Sequence, residues 1–226
     1  MALERIAQDI WTASTPLRIA GLRLGARMTV VRLSDGSLFV HSPIALDDDL
    51  KRSIDALGPV AHIVAPSLYH HLFVGGFADA YPEAKTHGAS GLEKKRSDLH
   101  FDAILGEESE PAWRDDVDVV KVGGFALGET VFFHRPSRTL VSADFMQNFD
   151  TSEHWATRWY LKAAGIHGQV GVSRAVRMMV RDKAKARRAV DQVIDWNPER
   201  ITLAHGRPIL SSSAATVSDS YSWLKG

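Results

Sequence analysis

The stretch Ile63 to Gly76, IVAPSLYHHLFVGG, limits this chain most, because an apolar strand, a stop and two ligand-type side chains follow one another within it. Val60 to Ala65 has the length and β-branched content of a buried strand. Pro66 has no N–H to give to a sheet ladder, so the strand ends there. His70 and His71 then fall on the loop leaving a strand's carboxyl end, where α/β folds place their sites. Neighbouring imidazoles in such a place are candidate metal ligands. The competing reading is a surface turn carrying two hydrated histidines.

The remaining chain supplies strands and helices around this point. Ile6 to Thr12 reads as one opening strand. Met28 to Leu33 and Leu38 to His41 flank Asp35-Gly36, a hairpin signal. Asp47 offers a cap for a helix through Leu57, with acidic residues in its first turn. Leu72 to Tyr81 and Ala89 to Arg96 read as short helices about a brief strand, Ala84 to His87. Ser97 to Arg114 shows no clear period, and most of it reads as loop. Asp116 to Val122, Thr130 to His134 and Thr139 to Ala143 read as three strands, the last two joined by a hairpin turn. Phe145 to Gly171 has the aromatics and turn residues of a loop lying over a site. One helix is expected from Val172 to about Trp196; its seven Lys or Arg between Arg174 and Arg188 read as a solvated face. Ile201 to Ala204 is a last strand ending in His205-Gly206, and Ser211 to Ser213 caps a closing helix.

Composition narrows the chemistry. With 226 residues the chain suits a single domain, 1–226. Lys plus Arg and Asp plus Glu number 27 each, so overall charge argues for neither a nucleic-acid nor a membrane partner and leaves a small-molecule substrate. There is no cysteine, which excludes disulfides, thiolate nucleophiles and Cys-held metals. Met1 to Trp11 is interrupted by Glu4, Arg5 and Asp9 and lacks a signal-peptide core, so a cytoplasmic protein is expected.

Three strands therefore end in potential ligands: His70 and His71, then Asp144, then His205. Three imidazoles and a carboxylate suit a divalent transition metal, zinc first and iron or manganese as alternatives, with a position left for water. Such an ion lowers the pKa of its water toward neutrality and makes a hydrolytic nucleophile available.

The order of these pieces resembles the metallo-β-lactamase superfamily over most of the chain, from Ile6 to His205. LYHH, TLVSAD and AHG, in that order, are similar to an uncharacterised branch with a degenerate first motif. The resemblance implies an α/β fold, an αββα sandwich of two mixed sheets flanked by helices. It also implies metal-dependent hydrolysis of an ester, lactone, thioester, β-lactam or phosphodiester, or redox chemistry at iron. Laid on this chain, the motif HxHxDH falls on Pro66 to His71, so Pro66 and Leu68 stand where the first two histidines would be. His70 takes the place of the Asp, and His71 that of the last His. Gly124 and Phe125 stand where the next histidine is expected; Asp144 matches the bridging carboxylate and His205 the terminal histidine. The three lost histidines make up one metal site of the superfamily. The resemblance thus implies one retained site built from His70, His71, Asp144 and His205, with Asp144 as ligand or catalytic base.

His41 could orient a ligand histidine from behind, and Tyr69 could donate a hydrogen bond to an oxyanion. His134 is expected away from the site; His87, His154 and His167 read as solvent-facing loop histidines. The leading function is a hydrolase with one metal acting on a small ester or lactone. A non-catalytic binding protein on an inherited fold and a non-haem iron redox protein are the alternatives.

Overall fold

A computed structural model describes residues 2–225; Met1 and Gly226, included in the single-domain expectation, lie outside them. The chain opens with strands β1 (Glu4–Ala7), β2 (Ile10–Thr15), β3 (Arg18–Ile19), β4 (Leu22–Arg23), β5 (Ala26–Arg32) and β6 (Leu38–His41). Then come helix α1 (Asp48–Asp55), β7 (Val60–Ala65), α2 (Val74–Ala80), β8 (Lys85–Gly88), α3 (Leu92–Lys95) and β9 (Ala103–Ile104). The second half holds β10 (Val117–Lys121), β11 (Thr130–His134), β12 (Thr139–Val141), β13 (Gln147–Asn148), α4 (Trp155–Ala164) and β14 (Val170–Gly171). It closes with α5 (Arg174–Met178), α6 (Lys183–Asp195), β15 (Arg200–Thr202), α7 (Ser213–Ser220) and a 3-10 turn, Ser222–Lys225.

Two sheets face each other. One runs β1-β2-β5-β6-β7-β8-β9 and the other β10-β11-β12-β15. Alternation along each strand explains the layers, since successive side chains point to opposite faces. Phe39, Val64, Val119, Phe132 and Val141 meet between the sheets around Trp113. Their neighbours Val40, Ile63 and Ala65 face outward onto Leu50, Ile54, Val74, Phe77 and Leu92 of α1, α2 and α3. On the other side Val120, Val131, Leu140 and Ile201 face Val176, Ala186, Val190, Val193 and Val217 of α5, α6 and α7. This is the expected αββα sandwich of mixed sheets, with β7 parallel to β6 and β8, and β12 parallel to β15.

The Asp35-Gly36 hairpin and the Asp47 cap form as read: β5 pairs antiparallel with β6, and the Asp47 carboxylate accepts the Leu50 N–H at 2.7 Å. Four expectations are corrected. The opening strand is a hairpin, β1 with β2, turning at Asp9 (φ 59°). The segment 145–171 is not a continuous loop, because His154 accepts from Thr157 N and starts the ten-residue helix α4. The basic helix is two helices. The Gly124 carbonyl accepts Arg181 N at 2.7 Å and Asp182 N at 3.2 Å, and Asp182 then caps α6 through Lys185 N. Ser212 precedes α7 at φ 54° with no side-chain cap bond, so the serine cluster does not cap as expected.

Candidate metal centre

The β7 loop is fixed by its own polar groups. Buried Ser67 accepts through Oγ from Tyr69 N (3.2 Å) and His70 N (3.3 Å), folding the chain back directly after Pro66. The Pro66 carbonyl takes Thr130 N at 2.8 Å, and Leu68 N donates to the Leu127 carbonyl at 3.2 Å, pinning the loop to the second sheet. His70 is thereby presented to Asp144: His70 Nε2 lies 3.2 Å from Asp144 Oδ2.

Asp144 is positioned by a residue that sequence reasoning missed. Buried Glu129 accepts Ala143 N at 2.7 Å and Asp144 N at 3.0 Å, one on each carboxylate oxygen. Burial and the neighbouring Asp144 charge push the Glu129 carboxyl up to about 8. No motif marks it; the only signal was a glutamate in an otherwise apolar turn, VGGFALGET.

His205 arrives from β15. Ala204 N donates to the Ala143 carbonyl at 3.3 Å and Arg27 N to the Ala204 carbonyl at 2.9 Å, so the strand end is held from both sheets. His205 Nδ1 donates to the Gly25 carbonyl at 2.8 Å, which fixes the tautomer and leaves the Nε2 lone pair free, 3.7 Å from Asp144 Oδ1. Gly206 follows at φ 80°, where a Cβ would come within 2.0 Å of the Asn148 carbonyl oxygen. Only glycine allows the chain to turn there.

Among the described residues, His70, Asp144 and His205 form the group whose ligand atoms all lie within 4.8 Å of one another. Each imidazole stands beside a different oxygen of the carboxylate, His70 Nε2 3.2 Å from Oδ2 and His205 Nε2 3.7 Å from Oδ1. The electrostatics agree at Asp144 and His205; at His70 the ring's proton is favoured, and an ion would have to displace it. Burial would lift the Asp144 carboxyl, but the charge and hydrogen bond of His70, with His205, bring it down to about 2, so it is an anion at neutral pH. Burial pulls the His70 imidazole down, and Asp144 and Glu129 more than reverse it, leaving it raised. Burial leaves the His205 ring lowered despite Asp144 and so keeps it neutral, as a ligand must be.

His71, expected as a fourth ligand, does not fall in this group. Its Nδ1 takes a hydrogen bond from the Arg96 guanidinium at 2.8 Å, and burial with the Lys95 and Arg96 charges lowers its pKa. His71 lines the same cavity as His70 but is held by Arg96 instead of Asp144. His41 is buried against the Phe132 ring, and its Nε2 has no hydrogen-bond partner among the described residues. The role assigned to it falls to the next residue. Ser42, at φ 53°, sets Oγ 2.9 Å from His70 Nδ1. Tyr69 is half exposed, with Lys95 Nζ 4.7 Å from its ring centroid. His134 bonds Ser137 in the hairpin turn at 2.7 Å. His154 caps α4, and His167 accepts Ser152 N. His87, read as solvent-facing, is buried between the sheets beside His62 and Trp113.

The trio opens on a cavity of about 280 Å³. Leu24, Leu72, Phe73, Phe149, Val176 and Met179 give it apolar walls; Asp144 and the imidazoles are its only ionisable groups besides Tyr69 and Tyr160. Leu68 packs beneath, close to Gly91 and Gly128. Gly124 is pressed onto the start of α6, where a Cβ would lie 2.1 Å from the Asp182 carbonyl oxygen. No side chain of any kind, ligand or otherwise, fits there.

A comparison with protein families matches residues 7–153 to a domain of unknown function, DUF4336. The chain belongs to this family. The matched span of the DUF4336 chain carries His70 and Asp144 and ends before His205. No curated protein matches it. Among solved structures it is similar to the DIM-1 metallo-β-lactamase, with TM-score 0.70, 14% identity, and 99% of this chain and 96% of that one covered. A metallo-β-lactamase from Pontibacter korlensis superposes with TM-score 0.69 at 12% identity, covering 100% and 99%. FIM-1 from Pseudomonas aeruginosa, in its mono-zinc form, gives 0.66 at 11% identity, covering 98% and 95%. At these identities the DUF4336 chain shares their fold. Among the described residues no helix is long and apolar enough to cross a membrane.

Proposed function

We propose that this DUF4336 protein is a metal-dependent hydrolase with one ion held by His70, Asp144 and His205, acting on a small ester or lactone. The observation that carries the reading is the set of three ligand atoms within 4.8 Å, one of them a histidine whose tautomer is already fixed. Three protein ligands with an open position are the usual catalytic zinc arrangement. The mono-zinc FIM-1 structure supports a single ion on this fold. A bound zinc, iron or manganese ion supplies Lewis acidity and a nucleophile drawn from water at neutral pH.

The chain's own part follows from its geometry. Asp144, kept ionised, offers one oxygen to the ion and a second that can take a proton. Glu129 holds the Asp144 backbone, and Ser42 and Gly25 hold the two rings, so the ligands need little reordering. The apolar walls exclude water around an uncharged acyl group. Elemental analysis of freshly purified protein tests this: about one transition-metal ion per chain is expected, with much less in Asp144→Ala and His205→Ala. A wild-type protein that takes up no zinc, manganese or iron by calorimetry overturns it.

One observation favours a second, metal-free reading of the same site. Ser42 Oγ, His70 Nδ1, His70 Nε2 and Asp144 Oδ2 form a continuous chain of 2.9 and 3.2 Å contacts in the order nucleophile, base, carboxylate. The positive φ of Ser42, just past a strand end, is strained backbone of the kind that places nucleophiles, although Ser42 itself is buried. Ser42 Oγ would bond to the carbonyl carbon while its proton passes to His70 Nδ1. The leaving alcohol takes that proton, and water then releases the acid from the Ser42 ester by the same route. Pro43 follows Ser42 and has no N–H to stabilise the oxyanion, so this reading ranks second. Labelling of Ser42 by a fluorophosphonate in chelator-treated protein, absent in Ser42→Ala, would establish it; an unlabelled Ser42 removes it.

A further inference from the structure

We infer that the face formed by α4 and α5 docks on an anionic phospholipid bilayer. The balanced charge of the whole chain conceals a local excess. Residues 155–188 carry nine Lys or Arg and a single acid, Asp182, leaving 18 basic against 26 acidic residues elsewhere. On α4 the buried positions are Thr157, Leu161 and Ala164, and the outward positions are Trp155, Arg158, Trp159 and Lys162. Trp155 is 74% exposed and Trp159 72% exposed, one helical turn apart on the same face. Arg174 Nη1 donates to the Ala163 carbonyl at 3.1 Å, joining α5 to the end of α4. On α5 the outward residues are Arg174, Arg177 and Met178, the last 80% exposed.

Two tryptophans standing in water are costly, because each has a large apolar ring and one polar N–H. Indole rings beside Lys and Arg on an acid-free helix face match a bilayer interface: the rings settle at headgroup depth and the cations meet lipid phosphates. A hydrated face would account for the basic residues but not for the paired rings. The same two helices supply Tyr160, Ala175 and Val176, with Met179 just after α5, to the wall of the apolar cavity, and Tyr69, Leu72 and Ile19 on its lining are themselves exposed. A lipid-dissolved substrate would therefore meet the cavity at the surface the protein binds. The docking inference does not rest on metal binding.

The test is sedimentation of the full chain with vesicles of phosphatidylcholine alone or mixed with phosphatidylglycerol, read together with tryptophan fluorescence. Binding to the anionic vesicles, a blue shift, and loss of both at high salt are expected. Each cation near such a surface is worth roughly fivefold in partitioning, so Arg158→Gln with Lys162→Gln should lower it by about 25-fold. Trp155→Ala with Trp159→Ala should abolish the blue shift; both positions are exposed, and circular dichroism checks that the variant folds. No binding to anionic vesicles overturns the inference, as does binding that the tryptophan pair does not affect. A dimer in solution that dissolves in the tryptophan variant, without vesicle binding, also overturns it and makes this face a contact between copies of the chain.

Discussion

Two groups of buried histidines lie in this protein, and they differ in one respect. At the cavity, His70 and His205 flank an ionised carboxylate, with ring centroids 5.1 Å apart and each ring held by a further hydrogen bond, to Ser42 and to Gly25. Between the sheets, His62 Nδ1 lies 3.2 Å from His87 Nε2, and Trp113 packs edge-on against both rings. There His87 Nδ1 and Trp113 Nε1 find no partner among the described residues. Burial takes His87 down to about 4 and lowers His62, whereas Asp144 leaves His70 raised. Where burial outweighs the pull of Asp35 and Asp102, the imidazole becomes a neutral packing unit. Beside Asp144 it keeps its capacity to bind and to move protons.

The largest effect that could break this contrast is the loss of the anion itself. Asp144→Ala should reduce zinc affinity by more than the 10–100-fold typical of supporting residues, measured by competition with a chromophoric chelator; an unchanged affinity would make the two groups equivalent. Next comes Glu129→Ala, which leaves Ala143 N and Asp144 N without their acceptor. About 1–3 kcal/mol of stability should be lost, together with zinc affinity, by denaturant unfolding and titration. Ser42→Ala comes third: a 10–100-fold loss of zinc affinity with the fold intact is expected from freeing the His70 ring.

The sharpest test of the inner group is its response to acid. His41, taken by burial to about 3, and His87, at about 4, stay neutral when folded, while the unfolded chain picks up their protons below 6.5. Their contribution to stability is therefore complete above pH 6.5 and is lost as the pH falls toward 4, at up to about 1.4 kcal/mol per pH unit for each group. His87→Leu should flatten that slope in denaturant titrations between pH 7 and 5. Its effect on zinc affinity should be the smallest of the set, within about twofold of wild type.

The frame of this arrangement was legible because it depends on local signals. Val60–Ala65 forms the strand read from its β-branched run, Asp47 caps as its side chain demands, and His70, Asp144 and His205 all leave strand ends as the order implied. The failures come from atoms distant in sequence. His71 was grouped with its neighbour because spacing cannot show that the Arg96 guanidinium, 25 residues on, takes its Nδ1. The break between α5 and α6 is made by the Gly124 carbonyl, some 57 residues before Arg181. Helix α4 lacks an apolar stripe because its tryptophans point outward, so its pattern misled. Glu129 looks like any other glutamate until the two N–H groups it accepts are seen.

One consequence concerns the joint between the two layers. His70 is delivered by the first sheet, Asp144 and His205 by the second, and the Gly25 carbonyl reaches back from β5's edge to grip the His205 ring. An ion clasped by all three would act as a rivet through both halves of the protein. Slippage of one layer past the other would then register first as a change in grip on that ion, and its arrival as a rise in melting temperature.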